Sequence, residues 1–192
     1  MTKVPDWYPD AAESKPAPTP LLRVQAFLNT RDLEAQADLL AEPGQARSWL
    51  QAAGLLRPAS SLSAADLDLA RKLRESIRGL LGSEDGAHPR QPDLDPVRKL
   101  AQIGRARLKV DDHGVLAVES SRHDNLADGL FDLLLIIRAA QEDGTWTRLK
   151  TCANPDCRWV FYDRSRNQQG NWCDMAVCGN RLKNRSLRAR RR

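Results

Sequence analysis

The four cysteines of this 192-residue chain all lie within its last 41 residues, in the order C-x4-C-x15-C-x4-C. They are Cys152, Cys157, Cys173 and Cys178. Two close pairs of cysteines, separated by an interval long enough for a hairpin, are the pattern that a tetrahedral zinc site requires. The sequence therefore predicts one zinc ion bound by four sulfur ligands.

Two disulfides, a catalytic redox pair or unpaired structural thiols are the alternatives for these cysteines. Disulfides are typical of exported proteins, but residues 1–7 lack the basic segment and apolar run of a secretion signal. We therefore expect reduced thiols that bind zinc. Because all four candidate ligands are cysteines, no coordination position remains for a substrate or an activated water. We expect a structural site and not a catalytic one.

The residues around the cysteines predict a small domain that depends on the metal. Residues 158–163 are aromatic and β-branched, as in a strand, and residues 164–170 are polar and turn-rich. With residues 171–172 they predict a hairpin. No proline interrupts residues 179–190, which predicts a helix with Cys178 near its first turn. This arrangement is similar to a treble-clef finger, and a segment of about 40 residues needs its metal to fold.

The C-terminal residues resemble the CGNR zinc-finger family. Residues 178–181 read Cys-Gly-Asn-Arg, which is the signature of that family. Three upstream segments also resemble the family pattern: CANPDC at 152–157, WVFYD at 159–163 and WCDMAVC at 172–178. The resemblance covers roughly residues 148–192, and it implies a zinc finger with the four cysteines as ligands.

The same resemblance implies what precedes the finger. In this family the finger typically follows a mostly helical ABATE domain, which is described as part of stress-induced transcription regulators. Residues 27–32 (FLNTRD) resemble the opening F-x-N-T element of that domain. The resemblance therefore implies a regulator of transcription.

Charge is distributed unevenly between the two parts of the chain. Residues 148–192 contain 12 basic and three acidic residues, a net charge of +9, whereas the whole chain carries +5. Residues 1–147 therefore carry about −4, so an acidic domain precedes a strongly basic one. Such a basic module favours binding to the phosphates of a nucleic acid.

The predicted C-terminal helix carries the candidate nucleic-acid-binding residues, namely Arg181, Lys183, Arg185, Arg188 and Arg192. At about 100° per residue, its four arginines lie within roughly 60° of one another and form one stripe. A stripe of this kind suits a recognition helix. The alternatives are a solvated tail without specificity and, for Arg181, a role in bracing the zinc knuckle. Trp159, Phe161 and Trp172 are expected to form the core of the module in preference to stacking on bases.

Hydrophobic periodicity predicts that residues 21–144 form a helical domain behind a flexible, proline-rich leader at residues 1–20. The predicted helices are 21–30 with a helical continuation over 33–40, then 42–54, 64–81, 96–104 and 125–142. The third has a capping box at Ser63 and Asp66, and its Arg71, Arg74 and Arg78 are expected on the solvent side. Alternating residues 107–110 and 115–118 predict one hairpin, with Gly114 at positive φ and His113 in its turn. The longest apolar run, residues 133–137, is far shorter than the ~20 residues that cross a bilayer.

The predicted helical domain has few residues in patterns typical of catalysis or ligand binding. It has no glycine-rich phosphate loop, no G-x-S-x-G or H-E-x-x-H motif and no cysteine. We therefore expect no enzymatic activity. Asn29, Thr30 and Arg31 are the candidates for binding a small-molecule effector, because they are polar and follow an apolar helix. The alternative is that Asn29 and Thr30 cap that helix.

The sequence as a whole predicts a mainly α (α+β) fold, with domains at 21–144 and 148–192. The predicted function is that of a cytoplasmic, zinc-dependent, DNA-binding transcription regulator, associated with the nucleoid. Its N-terminal domain is expected to sense a signal or to form a homodimer. The alternatives are an RNA-binding protein and a protein-interaction module that uses the basic finger.

Overall fold

The computed structural model describes residues 3–81 and 94–181. Helices within these residues are α1 (Leu21–Leu28), α2 (Pro43–Ala52), α3 (Ala64–Leu80), α4 (Asp95–Ile103) and α5 (Leu126–Glu142). The strands are β1 (Arg31–Asp32), β2 (Ala37–Asp38), β3 (Ala106–Val110), β4 (Leu116–Ser120), β5 (Leu149–Thr151) and β6 (Val160–Tyr162). They form three antiparallel two-stranded sheets, β1-β2, β3-β4 and β5-β6. The mainly α fold with small β elements is confirmed.

The two longest helices begin where local sequence signals place them. At α3, the Ser63 hydroxyl accepts a hydrogen bond from the backbone N–H of Asp66 at 3.2 Å, and Asp66 accepts one in return from the N–H of Ser63 at 2.8 Å. At α5, Asn125 and Asp128 form the same reciprocal pair. Each capping box satisfies two N–H groups that have no partner inside the helix. The predicted capping box of α3 is thus confirmed.

The segment after α1 is a hairpin, so the predicted helical continuation over residues 33–40 is wrong. The Asp32 carboxylate accepts hydrogen bonds from the backbone N–H groups of Glu34 (2.9 Å) and Ala35 (3.0 Å). Gln36 then adopts a φ of 52°, which lies in the left-handed region and ends a helix. Strands β1 and β2 pair across this turn. The described helical part therefore contains two hairpins, and not the one predicted.

Residues 3–20 pack against the protein, in contrast to the flexible leader that their prolines predicted. Val4, Tyr8 and Ala17 are buried. The indole of Trp49 donates to the carbonyl of Trp7 at 2.8 Å, which ties this segment to α2. Prolines indicate that a segment is neither helix nor strand, but they do not prevent it from packing in an extended path. The apolar residues between the prolines fix that path.

One hydrophobic core extends from the helices into the cysteine-containing module. Phe27, Leu73 and Leu130, which come from α1, α3 and α5, have no exposed surface. The same core includes Leu149 of β5 and Val160 of β6. The two parts of the chain are therefore packed together and are not joined only by a linker. Across the described ranges, none of the helices is both long and apolar enough to span a membrane.

Helix α5 lies so close to the segment after α2 that only glycine fits at one position. A Cβ atom at Gly129 would lie 1.9 Å from the carbonyl oxygen of Leu55, whereas one at Gly79 of α3 would have no atom within 4 Å. Gly129→Ala is expected to lower the free energy of unfolding by about 1–3 kcal/mol, because the backbone of residue 55 must move. Gly79→Ala should instead raise it by about 0.5–1 kcal/mol through helix propensity.

Urea unfolding of the two variants, compared with the unmodified protein, measures both effects. Equal and small changes in the two variants would contradict the close approach of α5 to Leu55.

Candidate metal centre and its attachment to the helical domain

The four cysteine sulfurs converge on one point. All of them lie within 4.8 Å of one another. The Sγ atoms of Cys157 and Cys173 are 3.6 Å apart, and those of Cys173 and Cys178 are 3.7 Å apart. Four sulfurs at about 2.3 Å from a tetrahedral zinc ion lie ~3.8 Å from one another, whereas a disulfide requires about 2.05 Å. The geometry therefore fits one zinc ion, and none of the four cysteines is in a disulfide.

The electrostatics of the cysteines also require a cation. Hydrogen bonds from the thiols of Cys157 and Cys173 lower the pKa of Cys152. The interaction with Cys152 in turn raises the pKa values of Cys157 and Cys173. Because neighbouring thiolates repel one another, all four can lose their protons together only when a positive ion balances the charge. A zinc ion supplies that charge, and the set leaves no open coordination position.

A tight turn presents the first two cysteines. The carbonyl of Asn154 accepts hydrogen bonds from the backbone N–H groups of Cys157 (2.9 Å) and Arg158 (3.0 Å). The Asn154 side chain is buried, and its amide lies 3.7 Å from the sulfur of Cys178. Cys152 donates its N–H to the carbonyl of Trp159 at 2.8 Å. Asn154 thus links the first cysteine pair to the second, and its N–H group stabilises a thiolate.

A capped helical turn presents the second pair. Asp174 accepts hydrogen bonds at its carboxylate from the N–H groups of Ala176 (2.6 Å) and Val177 (3.0 Å), which starts the π-helical turn Met175–Gly179. This turn contains Cys178 and begins four residues before the predicted helix of residues 179–190, most of which lies outside the described residues. A Cβ atom at Gly179 would lie 2.4 Å from the sulfur of Met175. Because Met175 is exposed and flexible, its side chain would have to move to admit a larger residue at position 179.

Strand β6 lies within the predicted strand 158–163, but its partner is β5 and not the segment at 171–172. The first knuckle therefore lies inside the β5–β6 hairpin. Residue 171 contributes one hydrogen bond, from the N–H of Ala153 to its carbonyl at 2.9 Å. Phe161 has no exposed surface and packs with the cysteines, Trp159 and Trp172. This packing supports a core role for the aromatic side chains.

Asp163 orders the polar turn 164–170. Its carboxylate accepts hydrogen bonds from the N–H groups of Ser165 (2.9 Å) and Gly170 (2.7 Å) and forms an ion pair with Lys150 at 3.1 Å. Burial raises the pKa of Asp163, but these hydrogen bonds outweigh it and lower the pKa below its usual range. The turn that leads to the second cysteine pair is therefore fixed by one carboxylate.

Asn29 joins the helical domain to the metal-binding module. Its side-chain oxygen accepts the N–H of Val160 at 2.8 Å, and its amide donates to the carbonyl of Val160 at 2.8 Å. The same amide donates to the Tyr8 hydroxyl at 3.2 Å. Only 1% of Asn29 is exposed. A side chain that pairs with a whole peptide group in this way has no free atom for a small molecule.

The other two candidate effector residues are also placed by the structure. Thr30 is buried; its hydroxyl donates to the carbonyl of Phe27 at 2.7 Å and accepts from Arg74 at 2.9 Å. Arg31 is exposed and pairs with Asp38 in the β1–β2 sheet. The buried polar atoms of Asn29 and Thr30 are bonded to protein groups, which supports a structural role for both residues.

Two buried arginines were placed on the solvent side by the sequence analysis, and that prediction is wrong. Arg74 is 1% exposed and forms a fork with the Asp38 carboxylate at 2.6 and 2.7 Å. Arg78 is 5% exposed and donates to the carbonyls of Leu28 and Arg158. Burial lowers the pKa of Arg78 to about 10, so it remains charged at neutral pH. Its partners lie far along the chain, and the helical pattern of α3 gave no sign of them.

Arg78 is thus a second link between the helical domain and the first cysteine pair. It lies on α3, and the Arg158 carbonyl that it contacts at 2.6 Å follows Cys157 directly. A third link is the ammonium of Lys15, which donates to the carbonyl of Trp172, next to Cys173, at 2.7 Å. Both cysteine pairs are therefore held from outside the module.

The candidate nucleic-acid-binding residues lie mostly beyond the described part of the chain. Lys183, Arg185, Arg188 and Arg192 fall outside the described residues. Arg181 is exposed, and its guanidinium forms an ion pair with Glu34 of the helical domain at 2.6 Å. Beside this pair, a cleft of about 430 Å³ borders the cysteine site and is lined by the acidic residues Asp10, Glu13, Asp32, Glu34 and Asp174.

The fold and the site together define a helical domain fused to a four-cysteine zinc finger. Residues 23–142 match the ABATE family, described as "Putative stress-induced transcription regulator", and residues 148–191 match the CGNR zinc finger. Because the first match covers more than half of the chain, the protein belongs to the ABATE family, and its finger binds one structural zinc ion. No curated protein matches the chain.

The pairing of Asn29 with Val160 leads to a prediction about stability. Asn29→Ala is expected to lower the free energy of unfolding of the zinc-loaded protein by about 1–3 kcal/mol, because the buried N–H of Val160 loses its partner, whereas its C=O keeps the bond from Gln25 at 3.1 Å. Asn167→Ala is the matched control, since the side chain of Asn167 is exposed and, within the described part of the chain, bonds only to Gln169 at 3.3 Å. That change should cost less than about 0.5 kcal/mol.

Urea unfolding followed by tryptophan fluorescence measures both variants. If Asn29→Ala is no more harmful than the control, the Asn29–Val160 pair does not hold the two parts together.

Proposed function

We propose that this protein is a zinc-dependent, DNA-binding regulator of transcription without catalytic activity, acting in the cytoplasm on nucleoid DNA. The family description and the zinc finger support the regulator class. The charge difference between the two parts of the chain carries the DNA-binding proposal. Residues 148–192 have a net charge of +9 and follow a domain of about −4. Such a segment is drawn to phosphates by displacing their counterions.

Most basic residues within the described part of the finger have internal partners. Arg148 and Arg164 donate to backbone carbonyls, and Lys150 and Arg181 form ion pairs with carboxylates. These four residues contribute to the structure of the finger. We therefore assign the phosphate contacts chiefly to four of the basic residues that follow Arg181, namely Lys183, Arg185, Arg188 and Arg192.

In this proposal the zinc ion supports DNA binding because it holds the residues that directly precede the arginine-rich segment. Arg181 is three residues from Cys178 in the sequence, and Cys178 is a zinc ligand at the centre of the module. The finger is in turn bonded to the helical domain through Asn29 and Arg78. In this proposal the metal fixes the point at which the arginine-rich segment begins. The helical domain then regulates DNA binding by self-association, not through an effector at residues 29–31.

DNA binding is tested with the zinc-loaded full chain and a labelled mixed-sequence duplex of roughly 30 base pairs, about three helical turns. Fluorescence anisotropy at about 50–200 mM salt gives the affinity and its salt dependence. In the double variant Arg185→Ala with Arg188→Ala, the negative slope of log K against log salt should become shallower by about 2, since two phosphate contacts are lost. Single-stranded DNA and a structured RNA are measured under the same conditions.

The matched control is Arg57→Ala with Arg105→Ala, which removes the same charge from exposed positions of the helical domain. It should leave the slope unchanged. Duplex binding without salt dependence, or equal slopes for the two double variants, would refute the DNA-binding proposal. Tighter binding of RNA than of duplex at the same salt concentration would replace DNA by RNA as the partner.

One contact favours a second candidate function, in which the basic finger binds an acidic protein surface. Arg181 already pairs with Glu34, and the neighbouring cleft is acidic. In that case the helical domain competes with DNA for the arginines. Glu34→Gln should then raise the duplex affinity about two- to fivefold in the same assay. Unchanged affinity would count against this competition.

A further inference from the structure

The hairpin formed by β3 and β4 has one side made of apolar residues that are exposed. Leu108 lies opposite Val118 and Val110 lies opposite Leu116, and directly paired residues share a side of the sheet. The exposed fractions are 69% for Leu108, 64% for Leu116, 60% for Val110 and 40% for Val118. The other side is polar, with Arg107 opposite Glu119. These four apolar residues are called the apolar face below.

This hairpin carries most of the exposed apolar side chains in the described part of the protein. Eight large hydrophobic residues are exposed there, and five of them are Leu108, Val110, Val115, Leu116 and Val118. Single exposed apolar residues are common on monomeric proteins, whereas a contiguous group usually marks an interaction surface. The concentration of these residues on one hairpin therefore calls for a partner.

The hairpin is well formed, so the apolar face is a defined surface. The Asp111 carboxylate accepts hydrogen bonds from the N–H groups of His113 and Val115, both at 2.9 Å. Gly114 has a φ of 78°, which glycine adopts without strain. On the polar side, Arg107 forms an ion pair with Glu119 at 2.7 Å. This turn and the ion pair between Arg107 and Glu119 hold the two strands in the register that places the apolar residues on one side of the hairpin.

We propose that the apolar face binds the same face of a second copy of this chain, giving a two-fold symmetric homodimer. The apolar face has no charge, so two copies do not repel each other there. It is also self-complementary, because a two-fold axis brings each leucine–valine pair onto its counterpart.

The area of the apolar face suits a weak dimer. A Val or Leu side chain carries about 60–120 Å² of apolar surface, from ~1.5–3 kcal/mol at ~25 cal/mol per Å². At the exposures of the four residues of the apolar face, two copies would bury roughly 300–550 Å² of apolar surface. A standard interface of about 1,600 Å² contains about 900–1,000 Å² of it. The two apolar faces thus supply about a third to a half of that area, and we expect a weak dimer, with a dissociation constant of about 1–100 µM.

Sedimentation equilibrium of the zinc-loaded full chain, without nucleic acid, tests this proposal between about 1 and 200 µM. The apparent mass should rise with concentration toward twice the 21.5 kDa of one chain. Leu116→Glu should weaken the dimer at least about tenfold, because it buries two carboxylates in an apolar contact. Ala117→Glu is the matched control: it adds the same charge on the same strand, but opposite Lys109 on the polar side. The dissociation constant of the Ala117→Glu dimer should stay within about twofold of that of the unmodified protein.

Leu108→Glu tests the same face from the other strand, and hydrogen exchange of the unmodified protein tests it without any substitution. Amides of residues 106–120 should gain protection as the protein concentration rises. A protein that stays monomeric throughout, including one that binds lipid vesicles or another protein through the hairpin, overturns the proposal. So does a dimer that Leu116→Glu and Leu108→Glu leave intact, or one that Ala117→Glu weakens equally. The proposal rests on the self-association in the proposed function, and because no DNA is present, a monomeric result would remove that self-association and leave DNA binding to its own test.

Discussion

The binding of four thiolates to one zinc ion is the constraint on which the C-terminal part of this protein depends. The finger spans residues 148–191, and so short a segment buries too little apolar surface to fold alone. Four sulfurs within 4.8 Å of one another also repel each other once they are deprotonated. The cation therefore stabilises the fold and the ionised state of the ligands together. The other contacts of the finger form only when the four cysteines are held together by the metal.

The finger is not an independent unit, because the helical domain completes its structure. Asn29 pairs with both backbone groups of Val160, and Arg78 bonds to the carbonyl next to Cys157. The N-terminal segment adds Lys15, which contacts the residue before Cys173. A change in the helical domain can therefore alter the position of the finger directly. This coupling is what a regulator needs if one part is to control how the other binds DNA.

Local patterns in the sequence predicted the metal ligands, the cap of α3 and the β3–β4 hairpin, since each depends on residues close together in the chain. Features that depend on distant partners were missed. The burial of Arg74 requires Asp38, and that of Arg78 requires two carbonyls, neither of which the pattern of α3 reveals. The pairing of β6 with β5 and the packing of residues 3–20 were missed for the same reason. The turn at Gln36 is an exception: it is local, but glutamine gives no signal for positive φ.

The zinc site and the N-terminal segment form one structural unit, because the N–H of Tyr162 donates to the carbonyl of Lys15 at 3.0 Å and the indole of Trp159 donates to Glu13 at 2.9 Å. Hydrogen exchange with and without a zinc chelator tests this central claim most directly. The protein is the full chain, loaded with one zinc ion. On removal of zinc, amides in β5 and β6 should lose protection together with those of residues 8–17, while α3 and α5 keep theirs. If residues 8–17 stay protected while the finger unfolds, or if the chelator changes nothing, the account is contradicted.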